Sequence, residues 1–262
     1  MPTIPRLIVN RVALVVLAAL IATGIWVAFL PLFHVSPLIG KNPADVWAYL
    51  VTGKNAGKNL PEILGYLLQT IRDFAVGYAV GLAIAFLAAV VFSLSVTLEN
   101  ILMPTATILR SIPVIVITPL ITLIFGVTIG GVTAIVTLVV FLPALANILY
   151  GLRRAQAQHG DLVHAYGGSS LQLLWKVALP GSLPAVMASA RISVPAAVTG
   201  AMIGEWLATG GGLGGFISRS AGSFGYDAMW ASAVLITGFT MLAYTVVSIL
   251  DALVDRRFGA LV

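Results

Sequence analysis

The chain has no cysteine among its 262 residues, and only 9% of them are charged. Without cysteine there can be no disulfide, no thiol nucleophile and no Cys-ligated metal. A soluble domain carries about 25% charged residues, so the second shortage excludes an ordinary water-soluble fold. No Gly-Lys-Ser or Gly-Lys-Thr phosphate loop occurs, so the chain has no nucleotide cradle of its own. The glycine cluster 210–215 has no strand before it and no lysine after it, and reads as a turn or gate. His34, His159 and His164 lack metal-ligand spacing, and the carboxylates form no catalytic pair along the sequence, which argues against an enzyme. No repeat of about 20 to 50 residues is visible, and the two halves show no inverted pattern.

What is abundant is apolar. The chain is 60% hydrophobic, with a mean hydropathy of +1.05. A helix needs roughly 20 apolar residues to cross the hydrocarbon of a bilayer, because it must satisfy its own backbone there. That length recurs at 12–30, 74–94, 101–125, 132–150, 185–207 and 228–250. These runs predict an all-α integral membrane protein of about six spans, one transmembrane domain over 1–262. The third run contains Pro104, Arg110, Pro113 and Pro119 and must bend. The net charge is +5, but the basic residues are scattered and several flank the spans. They suit the bilayer surface rather than a nucleic acid.

Lys and Arg in short loops set orientation. Arg6, Arg11, Arg153, Arg154, Lys176, Arg256 and Arg257 fall on one predicted side, against Lys41, Lys54, Lys58 and Arg219 on the other. Both termini are therefore expected in the cytoplasm. The outer segment 31–70 is expected not to span. Within it, Asn42, Pro43 and Asp45 read as a helix start, with Trp47 and Tyr49 at an interface.

One long polar break interrupts the apolar pattern at 161–180. Asp161 reads as the cap of a short helix that Gly167 and Gly168 end, and Ser169 with Gln172 as a capping box for a second. Leu171, Leu174, Trp175 and Ala178 recur at helical spacing as one apolar face, and Leu179-Pro180 reads as its stop. By composition alone the pair is either an interfacial hairpin or a docking surface.

Residue spacing at this break resembles the signature of binding-protein-dependent ABC importer permeases: Glu-Ala-Ala, three residues, Gly, nine residues, Ile, any residue, Leu-Pro. Asp161 stands at the acid, Gly167 at the glycine, Val177 at the isoleucine, and Leu179 with Pro180 at the end. Asp replaces Glu, and Leu162-Val163 replaces Ala-Ala, while Ala165 keeps a small residue before Tyr166 and the glycine. An ordered series extends the resemblance to the nitrate/sulfonate/taurine-type branch: Thr70-Ile-Arg72 with Gly77 and Gly81, Arg110-Ser-Ile-Pro113, Pro119-Leu120, Phe141-Leu-Pro143, Arg191-Ile192, Glu205, and Gly211 to Gly214.

The resemblance implies a transport permease of a bacterial inner membrane, with segment 161–180 as a cytoplasmic coupling element. Asp161, Ala165, Tyr166, Gly167, Leu171, Leu174, Val177, Leu179 and Pro180 would contact cytoplasmic ABC ATPase subunits. ATP and Mg would sit on that partner, and this chain would bind no cofactor. An extracytoplasmic solute-binding protein and a second permease copy, most simply an identical one, are implied with it. Arg110, Arg191 and Glu205 are charged residues within spans and are candidates for lining the pathway or bracing helices. Arg191 and Glu205 lie 14 residues apart, about 21 Å along one helix, too far to pair with each other. An ion-coupled secondary transporter is the alternative, but that class places carboxylates near mid-membrane. Here Asp73, Glu99, Glu205, Asp227 and Asp251 fall near predicted span ends. The topology predicts that single cysteines at Gln158 and Ser169 react with an impermeant thiol reagent only from the cytoplasm. Labelling of either in intact cells would reverse the orientation.

Overall fold

The protein is described here by a computed structural model covering residues 4–258, with side chains described for 13–257. The side chains of Arg6 and Arg11 lie outside the described residues. Every element among the described residues is helical. In chain order these are α1 (Ile4–Leu32), α2 (Pro43–Trp47), α3 (Ala56–Leu94), α4 (Val96–Ser111), α5 (Val114–Phe125), α6 (Ile129–Ala165), α7 (Ser170–Leu173), α8 (Leu179–Gly204), α9 (Gly212–Gly222) and α10 (Tyr226–Phe258). Three wide π turns, Ala48–Thr52, Leu174–Ala178 and Glu205–Thr209, extend α2, α7 and α8 respectively.

Five helical stretches are long and apolar enough to cross a membrane, and α4 with α5 makes a sixth if the bent pair is one span. The chain path requires that sixth crossing. α3 ends where α4 begins, and α5 packs on α6 and on the turn 205–209 at the far end of the bundle. The pair is bent by 107°, and of the three prolines in this run it is Pro113 that stands at the bend. Pro113 disfavours helical geometry in the residue before it, and Ile112 is extended at φ −81, ψ 123.

The helices are longer than their apolar runs, which corrects the expected boundaries. Segment 31–70, expected not to span, holds the first turns of α3, which begins at Ala56. Pro61 lies close enough to that start that its missing N–H removes only one early helical bond. The start at Asn42 forms as expected: Asn Oδ1 accepts from Asp45 N at 3.0 Å, and Asn42 N donates to Asp45 Oδ2 at 2.8 Å. Asp161 caps nothing, because α6 runs unbroken to Ala165. Pro180 ends nothing either. The π turn Leu174–Ala178 closes with Leu179 N on Leu174 O, and the helix continues through Pro180. A widened turn accommodates the ring and the missing donor that would break regular α geometry.

α3, α6 and α8 form the centre, and α10 packs on α8. Lipid offers no hydrophobic drive between helices, so close approach of small residues supplies the packing. A Cβ on Gly77 would collide with Val136, and one on Gly81 would lie 2.9 Å from Val140 Cβ. Phe74, Val132, Val194, Ala197 and Ala201 close the same core. α1 lies at the edge, where Trp26 stacks on Trp230 with ring centroids 5.2 Å apart. Trp230 Nε1 donates to Ile39 O at 2.8 Å.

The close contact at Gly77 predicts that Gly77→Leu lowers the thermal midpoint of the purified protein by the equivalent of about 1–3 kcal/mol. Gly65→Leu, where a Cβ meets nothing within 4 Å, should leave the midpoint unchanged in the same melting assay.

Candidate functional site

The structure places the turn that follows α6 at one end of the bundle and Glu205 at the other. At one end α6 turns into α7 through residues 166–169. Gly167 has φ +74, a left-handed conformation that most side chains resist. Gly167 N donates to His164 O at 2.9 Å and Gly168 N to Val163 O at 2.8 Å. These bonds take up carbonyls that the end of α6 would leave open. Ser169 Oγ accepts from Gln172 N at 3.3 Å, and Ser169 N donates to Gln172 Oε1 at 3.0 Å, so the capping box is present.

The apolar face expected here is divided between two surfaces. Leu173, Leu174 and Ala178 are buried, and Leu174 and Ala178 pack against Leu149, Leu152 and Ala155 of α6. Val177, Leu179 and Pro180 are partly buried. Leu171 and Trp175 stand 57% and 65% exposed, and Tyr166 at the apex is 86% exposed. Apolar residues thus occupy both sides of α7, and spacing alone cannot say which side meets the core. Asp161 and Ala165 are exposed on the last turns of α6. The turn therefore presents apolar groups and a carboxylate to whatever lies beyond the bundle.

Two ion pairs tie neighbouring helices together. Arg153 bonds Glu99 at 2.5 Å and also donates to Phe92 O at 3.0 Å, tying α6 to α4 and to the last turn of α3. Cations are favoured at that carbonyl-rich helix end. Arg191 pairs with Asp251 at 2.7 Å and joins α8 to α10.

The opposite end is organised by Glu205, whose side chain is fully buried. Its Oε2 accepts from Thr70 Oγ1 at 2.9 Å and from Gly214 N at 2.9 Å. Thr70 Oγ1 in turn accepts from Leu213 N at 2.8 Å. A carboxylate on α8 and a hydroxyl on α3 thereby take the otherwise open N–H groups of α9. The backbone folds over the carboxyl at Gly212, which has φ +52 and where a Cβ would fall on the Glu205 carboxyl itself. Arg219 reaches back to Gly210 O and lies over the Tyr66 ring at 5.3 Å. Asp73, one turn along α3 from Thr70, faces Glu205 within hydrogen-bonding reach. Sequence reading missed this meeting. No local pattern links residues 73 and 205, and only the packing of α3 beside the end of α8 unites them.

Arg110 is exposed in the last turn of α4, beside the 107° bend. It is not brought near Arg191 or Glu205. An apolar cavity of about 590 Å³ opens between α8, α9 and α10, lined by Thr199, Met202, Trp206, Ser218 and Met241 among others.

Comparison with known proteins gives this architecture a context. Residues 80–260 match the family described as binding-protein-dependent transport system inner membrane component. The chain is 28% identical to the formylaminopyrimidine transport permease protein ThiX of Halalkalibacterium halodurans over 186 residues, covering 71% of this chain and 74% of that one. It is 28% identical to the taurine transport system permease protein TauC of Escherichia coli over 227 residues, 84% and 78% of the two chains. In fold it resembles a chain of the inward-facing MetNI methionine ABC transporter. That match has a TM-score of 0.58 at 20% identity and covers 80% of this chain and 99% of the other.

Removing the Thr70 hydroxyl by Thr70→Val leaves Leu213 N without its acceptor and Glu205 without one donor. Each buried group so orphaned costs about 1–3 kcal/mol. The variant should melt well below the wild type in detergent, and Thr70→Ser should restore most of the loss.

Proposed function

Because the chain belongs to the family of binding-protein-dependent transport system inner membrane components, and is thereby a permease subunit of an ABC importer, we propose a division of labour between its two ends. The end carrying the 166–169 turn faces the cytoplasm and seats in a separate ABC ATPase, which binds ATP and Mg. Segment 161–180 carries the ATPase's movement into the bundle. Its mechanical route is supported by continuity: α6 enters the turn, and the helix from α7 through α8 leaves it, both as unbroken rods. Displacement at Tyr166 therefore reaches the distant Glu205 turn without crossing a loop.

The observation that carries this reading is the exposed apex of Tyr166, Leu171 and Trp175 on a left-handed glycine turn. It lies outside the six apolar runs. Lipid does not account for an exposed apolar apex surrounded by Asp161, His164, Gln172 and Lys176, whereas a groove on a partner protein does. Asp161 orients the docked turn through its charge.

A second copy of the chain completes the pathway. Irregular backbone at membrane depth is tolerated only where protein or a water-filled cavity surrounds it. Residues 110–113 at the α4–α5 bend are all exposed in one copy, so a neighbour or the pathway itself lies against them. Arg110 then borders that surface, while Arg191 ties the middle of α8 to α10 and Glu205 braces the end of α8. An extracytoplasmic binding protein delivers the solute at the Glu205 end and sets most of the specificity. The permeases named above for formylaminopyrimidine and taurine carry chemically unlike cargo at equal identity to this chain.

Gly167→Asp tests the coupling role. A Cβ there meets nothing within 4 Å inside the chain, and Asp is among the residues most tolerant of left-handed geometry. Folding and insertion should therefore survive, while the added charge collides with the docked ATPase. Transport should be abolished, and co-purification will show whether assembly or transmission fails. Normal transport with the ATPase bound would refute the assignment.

A further inference from the structure

The carboxyl groups of Asp73 and Glu205 are both buried, at 4% and 0% exposure, and face one another inside the helical bundle. Thr70 and Gly214 satisfy Glu205 Oε2, but Oε1 has no donor among the described residues. Two ionised carboxylates offer only acceptors, so contact between them becomes a hydrogen bond when one carries a proton. Like charges facing one another in a medium of low dielectric cannot both remain ionised. We propose that Asp73 and Glu205 form a buried proton-binding site, in which one shared proton ties α3 to the π turn 205–209 at the base of α9.

The charged groups around the pair do not replace that proton. Arg72 on α3 is exposed, and its field reaches Asp73 from outside the pair. Arg219 on α9 is engaged with Gly210 O and the Tyr66 ring. On the other helices packed against α3 and the turn, Arg153 of α6 pairs with Glu99 of α4, Arg191 of α8 with Asp251, and Lys41 with Asp227 of α10. α5, which also touches the turn, has no titratable side chain. A metal ion is a poorer occupant than a proton. The Thr70 hydroxyl oxygen already accepts from Leu213 N, and Oε2 holds two donors, which leaves Glu205 Oε1 and the Asp73 carboxyl oxygens and no ring of ligands.

The site has a mechanical consequence. Its members are Thr70 and Asp73 from α3, Glu205 from the end of α8, and the first N–H groups of α9. Loss of the proton leaves two anions facing each other without solvent, which loosens the turn from α3.

Infrared spectroscopy of the purified permease in an ester-free maltoside detergent tests this directly. At neutral pH the wild type should show a protonated-carboxyl C=O band that shifts in D2O. Asp73→Asn and Glu205→Gln each substitute a permanent N–H donor for the shared proton, leaving one ionised carboxylate. Both should fold, and both should lose the band, whereas Asp45→Asn at the exposed α2 start should keep it. Absence of the band in the wild type, or its survival in both variants, overturns the proposal. Should either variant fail to purify, the wild-type spectrum decides.

Discussion

Everything in this bundle depends on one constraint: a helix in lipid must satisfy its own backbone. Each break in a helix therefore needs a local donor or acceptor. At the 166–169 turn the N–H groups of Gly167 and Gly168 return to carbonyls of α6. At the start of α9 a side chain from α3 and another from the end of α8 reach the open N–H groups. The first repair is local and closes a turn. The second is distant in sequence and binds three elements together.

The π turns show how the same constraint accommodates irregularity. Each closes with a bond from the residue after it: Gly53 N to Ala48 O at 2.7 Å, Leu179 N to Leu174 O, and Gly210 N to Glu205 O at 2.8 Å. No donor is lost, yet the helix gains width where regular geometry fails. In Leu174–Ala178 that width precedes Pro180 and keeps the helix continuous from the turn to Glu205. In Glu205–Thr209 it sets the carboxylate beneath the glycine-rich backbone, where Gly212 leaves room for it. The coupling role proposed above would give these features a common use, since a rod connecting two ends transmits displacement and a loop does not.

Much of the architecture was legible in the residues. The apolar run lengths gave the spans, the prolines of the third run announced a bend without saying which of them makes it, and Asn42-Pro43-Ala44-Asp45 marked a helix start that formed with both reciprocal bonds. The ordered motifs from Thr70 to Gly214 carried the family resemblance that the comparisons bear out. Helix ends were less legible at Asp161 and Pro180. A polar stretch such as 151–165 is as compatible with an extended helix beyond the bilayer as with a loop, because polarity reports the solvent and not the backbone geometry. Pro180 looked like a terminator because its cost in a regular helix is large, and that inference fails when a widened turn removes the clash.

What the sequence determined by itself follows from one-dimensional chemistry. Hydrophobic length, the helix starts at Asn42 and Ser169 and the glycine helix end at 167–168 are properties of short segments, and each was readable in place. Tertiary structure alone decided which apolar residues of α7 meet α6 and which stand outside, since both sides are apolar. It also decided that Asp73 meets Glu205 and that Thr70 caps α9. Those partners lie more than 130 residues apart, and their encounter depends on Gly77 and Gly81 letting α3 approach α6 closely enough to place α3 against the end of α8.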